Sequence, residues 1–173
     1  MSTPKPRKVY IAGPDLFHHD WPRRAAEAQR LCTEHGLCAV LPIPAEPPSG
    51  PGVTEPADAE AARKVFDFCR AAIIQSHGVI ANLSPFRGTE PDSGTVVECA
   101  FAYSHGLPVI GYGAKAPPCR QSEDGRLWAE DGIWAEQFGL RANLMLHHCC
   151  VDIADDLEGA VIEMAQLLAS AGA

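Results

Sequence analysis

The sequence predicts an α/β fold, a doubly wound parallel sheet with helices on both faces. Three observations predict it. Short apolar, β-rich runs alternate with segments of helical periodicity along the chain. No internal repeat or low-complexity block interrupts that alternation. With 173 residues, 46% of them hydrophobic, the chain can bury one sizeable core, so a single domain over 1–173 is expected.

The opening "MSTPKPRK" reads as a basic tail, mobile through about residue 7. "KVYIAG" (8–13) is apolar and ends in Gly-Pro, so it reads as a buried strand. In "DWPRRAAEAQRLCTEHG", Asp20 is a candidate cap and Pro22 falls in the first turn. Ala25, Ala28, Leu31 and Cys32 keep helical spacing, and Gly36 is the stop. "LCAVLPI" (37–43) reads as a second strand. Residues 44–58, "PAEPPSGPGVTEPAD", predict a long loop. The following helix carries Ala62, Val65, Phe66, Cys69 and Ile73 on one stripe. "GVIANL" (78–83) and "LPVIGY" (107–112) read as strands, with a helix between them. A polar loop is expected over about 113–126. A short strand near 145–151 and an amphipathic helix with Leu157, Ala160, Val161, Met164 and Leu168 follow. The whole resembles flavodoxin-like and Rossmann-like sheets, whose binding crevice lies beyond the carboxyl ends of the strands.

Composition excludes several functions. A net charge of −8 without a basic face argues against a nucleic-acid partner. No apolar run is long enough to span a membrane, and no secretory signal is visible. Seven scattered cysteines without a C-x-x-C pair read as reduced thiols of a cytosolic protein. "HHCC" (147–150) lies in the segment read as extended, where neighbouring side chains diverge, so it predicts no metal site.

"DSGTVVE" (92–98) stands at the expected crevice, after strand three. It has a structural reading. Thr95 and Glu98 fit a capping box, Asp92 a turn before Gly94, and Val97, Ala100, Phe101 and Ser104 a buried stripe ended by Gly106. It also has a functional one. A carboxylate in the first helical turn is held ionised by amides and the helix dipole. There it can attack an electrophilic sugar carbon while a second acid holds substrate or handles a proton, which is the two-carboxylate logic of glycosidic cleavage.

Three segments together resemble the nucleoside 2-deoxyribosyltransferases: "VYIAGPDLF" (9–17), "VIANLSPFRGTEPDSGTVVECAFAYSHGLPVIGY" (79–112) and "EQFGLRANLML" (136–146). The resemblance implies transfer of 2-deoxyribose between nucleobases through a covalent deoxyribosyl-enzyme, with no metal or organic cofactor. It implies Glu98 as nucleophile, Tyr10 as the hydroxyl that orients it, and Asp92 as a group on a sugar hydroxyl or the leaving base. Phe17 falls where an aromatic packs beside the substrate. Asp15 and Gly94 join the substrate-binding set, and Glu46 falls near a base-contacting position. Asn143 and Met145 match residues donated to a neighbour's site, implying a homodimer or larger homo-oligomer. The implied partners are deoxynucleosides and nucleobases. Each residue has a plain alternative: Tyr10, Phe17 and Met145 are also ordinary packing residues.

Three positions depart from the family pattern. Cys69 stands where many relatives carry Asp or Asn, Pro44 where an acid is common, and His77 where an Asp often precedes the strand. On the residues alone, Cys69 is most simply a small core side chain and His77 a helix-end or solvent-facing one. These departures leave open base preference and transfer against hydrolysis. The rival activity is cleavage of deoxynucleosides or nucleoside 5′-monophosphates by water. Asp15 opposes a phosphate there, while Arg87 and Ser93 could receive one. A second rival is a nucleotide-sensing module without catalysis. A dinucleotide-binding protein is disfavoured, because no G-x-G-x-x-G follows the first strand.

Overall fold

Five parallel strands form the central sheet in the order β2-β1-β3-β4-β7. The computed structural model describes residues 5–42, 58–116, 118–130 and 132–171. The strands are β1 (Arg7–Ala12), β2 (Leu37–Val40), β3 (Val79–Asn82), β4 (Val109–Tyr112) and β7 (Asp152–Ala154). Two further strands, β5 (Cys119–Gln121) and β6 (Leu127–Ala129), pair antiparallel as a separate hairpin. Between β1 and β3 the register sets Tyr10 opposite Val79 and Ala12 opposite Ala81. This is the flavodoxin-like order, with its switch point between β1 and β3.

Helices α1 (Trp21–Glu34) and α5 (Leu157–Ser170) cover one face of the sheet, over Val9, Ile11, Ile80 and Ile110. Helices α2 (Ala59–Ile74), α3 (Ser93–Ser104) and α4 (Leu144–Cys149) cover the other, over Tyr10, Val79, Ala81 and Val109. Strand residues alternate between the two layers, so Tyr10 and Ile11 belong to opposite cores. Four helices start on a side chain that accepts a backbone N–H: Asp58, Asp92, Asn143 and Asp156. Asp20 holds the cap position of α1 but pairs with Arg23 and Arg24 instead. Gly36 (φ 74°) and Gly106 (φ 71°) follow α1 and α3 in the left-handed conformation that a stop requires.

Several expectations are corrected. β1 begins at Arg7, inside the segment read as tail, and β2 ends at Val40, before Pro42. The 113–126 stretch contains β5 rather than loop alone, joined to β6. The 145–151 stretch is mostly helix α4, and the strand follows it at 152–154. On α2 only Ile73 of the proposed stripe is buried, while Val65 and Phe66 are exposed. On α3 the buried stripe is Thr95, Cys99 and Ala102, and Val97 is 60% exposed. That helix is apolar on most sides, so periodicity alone did not fix which side faces the sheet. The stripe predicted for α5 holds, with Ala160, Val161, Met164 and Leu168 buried. Pro44, Glu46 and most of the predicted Pro-rich loop lie outside the described residues. Among the described residues no helix is long and apolar enough to cross a membrane.

Candidate active site

Asp92 and Glu98 divide the two roles left open for them. Asp92 starts the helix: its Oδ2 accepts from the Thr95 amide at 2.9 Å and from the Thr95 hydroxyl at 3.0 Å. Thr95 is therefore the third helical residue and not the cap. Glu98 lies in the second turn, beyond the free amides, and does not close a capping box. Gly94 gives the turn its tightness, since a Cβ there would meet Asp92 Oδ2 at 3.0 Å.

Glu98 turns to the sheet instead. The hydroxyl of Tyr10, a fully buried residue of β1, donates to Glu98 Oε1 at 2.6 Å. Burial pushes the Glu98 carboxyl from its ordinary 4.5 up to about 7, the Tyr10 hydrogen bond pulls it down, and the charge of Asp92 raises it further. This corrects the expectation of a carboxylate held ionised by helix amides. The Tyr10 phenol is itself raised far above its usual range, by burial first and then by Glu98, so it stays a proton donor.

The loops after β1 and β3 meet at the carboxyl ends of the strands. The Phe17 ring stacks on Phe86 at 5.6 Å, and the Arg87 guanidinium lies 4.8 Å from the Phe86 centroid and 5.7 Å from that of Phe17. Arg87 takes φ 53°, a left-handed conformation uncommon for a non-glycine residue. Asp15 is engaged on both oxygens. Oδ1 accepts from Arg24 Nη1 at 2.8 Å and Oδ2 from Asn82 Nδ2 at 2.9 Å. Gly13 permits that closure, since a Cβ there would sit 2.8 Å from Asn82 Cβ.

Asn143 caps α4 through the Met145 amide and donates to Glu136 Oε1 at 2.8 Å. Met145 beside it is 70% exposed. Helix α4 packs on α3, the helix of Glu98. His77 is exposed at the opposite, amino end of β1, where its Nδ1 accepts from the Lys8 amide at 3.1 Å. Because 147–149 is helical, the argument from extended geometry against metal does not hold. Among the described residues no cluster of three or more His, Cys, Asp or Glu could hold an ion. One contact went unread in the sequence, that of Phe17 with Phe86. The aromatic in "SPF" was the available signal for it.

The sheet and its helices thus hold a phenol-bound glutamate between β1 and α3. The family model for nucleoside 2-deoxyribosyltransferase matches residues 9–145, and the chain belongs to that family. A 2-desoxiribosyltransferase of Leishmania mexicana superposes with a TM-score of 0.69 at 29% identity, over 93% of this chain and 98% of that one. A conserved protein of Enterococcus faecalis V583 superposes with a TM-score of 0.60 at 21% identity over the same shares, a likeness of fold. An uncharacterized protein of Schizosaccharomyces pombe is 30% identical over 137 residues, 75% of this chain. The chain spans 59% of the length of that relative.

Proposed function

We propose that this protein is a nucleoside 2-deoxyribosyltransferase in which Glu98 is the nucleophile. The observation that carries the reading is the 2.6 Å bond from Tyr10 to one Glu98 oxygen. It fixes the carboxylate and leaves the second oxygen to attack. A carboxyl near pH 7 is poised between ionised and neutral forms, as expected of a group that both attacks and departs.

In the first displacement a Glu98 oxygen bonds to C1′ of the deoxyribose. The C1′–N bond breaks, and its electron pair leaves with the base, which takes up a proton. The sugar at C1′ is oxocarbenium-like in passing, and the missing 2′-hydroxyl makes that charge easier to bear. In the second displacement a nitrogen of the incoming base attacks C1′ and gives up its proton. The ester bond breaks and Glu98 is restored. Two inversions retain configuration and give ping-pong kinetics. Asp92, its Oδ2 held by Thr95, has its other oxygen for a sugar hydroxyl or the base. We assign Phe17 to the wall beside the substrate, and Asn143 and exposed Met145 to a neighbouring subunit's site in a homo-oligomer.

Hydrolysis of a 5′-monophosphate is the second reading. One observation favours it: Arg87, held over two rings, forms no ion pair among the described residues. Incubating the protein with deoxyinosine, thymidine or their monophosphates, with and without adenine, distinguishes the two. Transfer gives deoxyadenosine in the adenine arm. Base release unaffected by adenine supports hydrolysis, and retained turnover in Glu98→Ala removes the mechanism.

A further inference from the structure

Asn82, the last residue of β3, lies on the face of the sheet opposite Glu98. Val79 and Ala81 face the layer that contains Tyr10, Ile80 faces the layer of α1 and α5, and the alternation puts Asn82 with Ile80. It is buried, as are Ser76 and Thr95. Those two bond to their own helix or its cap, whereas Asn82 reaches Asp15, 67 positions away.

Its carboxamide bonds in two directions. Nδ2 donates to Asp15 Oδ2 at 2.9 Å, and Oδ1 accepts from the Ser84 amide at 3.1 Å. This orientation of the amide is the one that satisfies both partners, because a carboxylate accepts and a backbone N–H donates. Asp15 belongs to the short 3-10 helix Pro14–Phe17, which ends on Phe17. Ser84 opens the segment after β3 that carries Phe86. One side chain therefore joins the exit of β1 to the exit of β3, and those exits bring the Phe17 and Phe86 rings to 5.6 Å. Arg24 Nη1 donates to the other Asp15 oxygen at 2.8 Å and anchors the same turn to α1.

We propose that Asn82 is a positioning residue for the wall of the candidate active site: through Asp15, and from the opposite face of the sheet, it sets Phe17 against Phe86. Stacked rings slide and tilt at little cost, while a hydrogen bond to a carboxylate is strong and directional, so the polar bridge decides where the turn sits. A carboxamide suits this position because it offers a donor to Asp15 and an acceptor to the Ser84 amide at once. The consequence for substrate binding rests on the function proposed above, but the placement of Phe17 does not.

The test exchanges the two side chains. Asn82→Asp removes the donor and sets one carboxylate against another. Adding Asp15→Asn restores a donor–acceptor pair in the reverse direction, while Arg24 and the Ser84 amide keep their acceptors. The whole protein is labelled with 4-fluorophenylalanine at its six phenylalanines. Loss in Phe17→Leu assigns the Phe17 fluorine resonance, and Phe86→Leu gives its unstacked position. At pH 8 Asn82→Asp should move the Phe17 resonance most of the way to that position, and the exchange should return it. If Asn82→Asp does not fold, Asn82→Ser, too short to reach Asp15, replaces it with the same expected movement. An unmoved Phe17 resonance in the folded single variant would overturn the proposal. So would an exchange variant that moved it equally or did not fold, since a restored pair should restore the turn. If base is released, the single variant should raise KM about five- to tenfold with kcat within about twofold, the pattern of a contact made equally in ground and transition states. A loss confined to kcat would overturn the role as well. If no base is released from any substrate, the function fails while the Phe17 resonance still decides the role of Asn82.

Discussion

The hydroxyl of Tyr10 and Oε1 of Glu98 lie 2.6 Å apart, joining the second core layer of β1 to the second turn of α3 across 88 residues of sequence. Burial acts against this bond: it raises the carboxyl, while the phenol lowers it. The balance places Glu98 near pH 7, so changes to either partner should appear as shifts in titration.

The first consequence concerns rate against pH. An attacking carboxylate must be ionised, so kcat/KM for base release should rise through an acid limb near pH 7. A limb near the ordinary 4.5 would show that Glu98 is not the titrating nucleophile.

Tyr10→Phe removes the one interaction that lowers the carboxyl. A hydrogen bond to a charged group contributes roughly 1.5–3 kcal/mol, so the limb should move up by about one to two pH units. Activity at pH 7 should fall about five- to fiftyfold and recover partly at pH 9. Loss by the same factor at both pH values would indicate collapse of the site instead.

Stability should carry the opposite signature. The folded carboxyl titrates above its ordinary value, so its protonated form favours the fold. That contribution is complete below about pH 4.5 and is lost as pH rises through 7. Glu98→Gln cannot ionise and escapes the loss. Its Tm relative to wild type should therefore be higher at pH 8 than at pH 5. A constant difference across that range would mean the carboxyl is not buried as described.

Asp92 separates into two effects. Asp92→Ala removes the cap from Thr95 and should cost about 1 kcal/mol of stability. Asp92→Asn keeps a capping oxygen and removes the charge that raises Glu98, so the Glu98 midpoint should fall with little change in Tm. An unchanged midpoint in Asp92→Asn would contradict the electrostatic link.

Gly13→Ala should destabilise by about 1–3 kcal/mol, because the new methyl carbon would stand 2.8 Å from Asn82 Cβ. Thermal unfolding reads this directly, and a neutral result would show that the β1 and β3 ends are less closely apposed.

Much of this molecule was legible in the sequence. Apolar runs at 8–13, 78–83 and 107–112 are strands, because strands covered on both faces are marked by their composition. The stripe of α5 was legible because polar residues occupy its other side. The phase of α3 was not, since Val96, Val97 and Phe101 offer several apolar sides. Helix α4 was read as strand, because six residues are too few for periodicity to separate the two. Glu98 was singled out from the "DSGTVVE" pattern and Tyr10 from a resemblance, and their contact depends on strand register and helix phase together. The raised Glu98 carboxyl was out of reach, since burial is a property of the fold and the local pattern pointed to the helix amides.

The central claim is that Glu98 forms a bond to the sugar. The direct measurement is peptide mass mapping of protein quenched in acid during turnover of a 2′-deoxynucleoside without acceptor base. The account predicts a mass increase of one deoxyribosyl unit on the peptide containing Glu98, discharged by adenine and absent in Glu98→Gln. Continuing base exchange with no adduct, or an adduct on another residue, would contradict it.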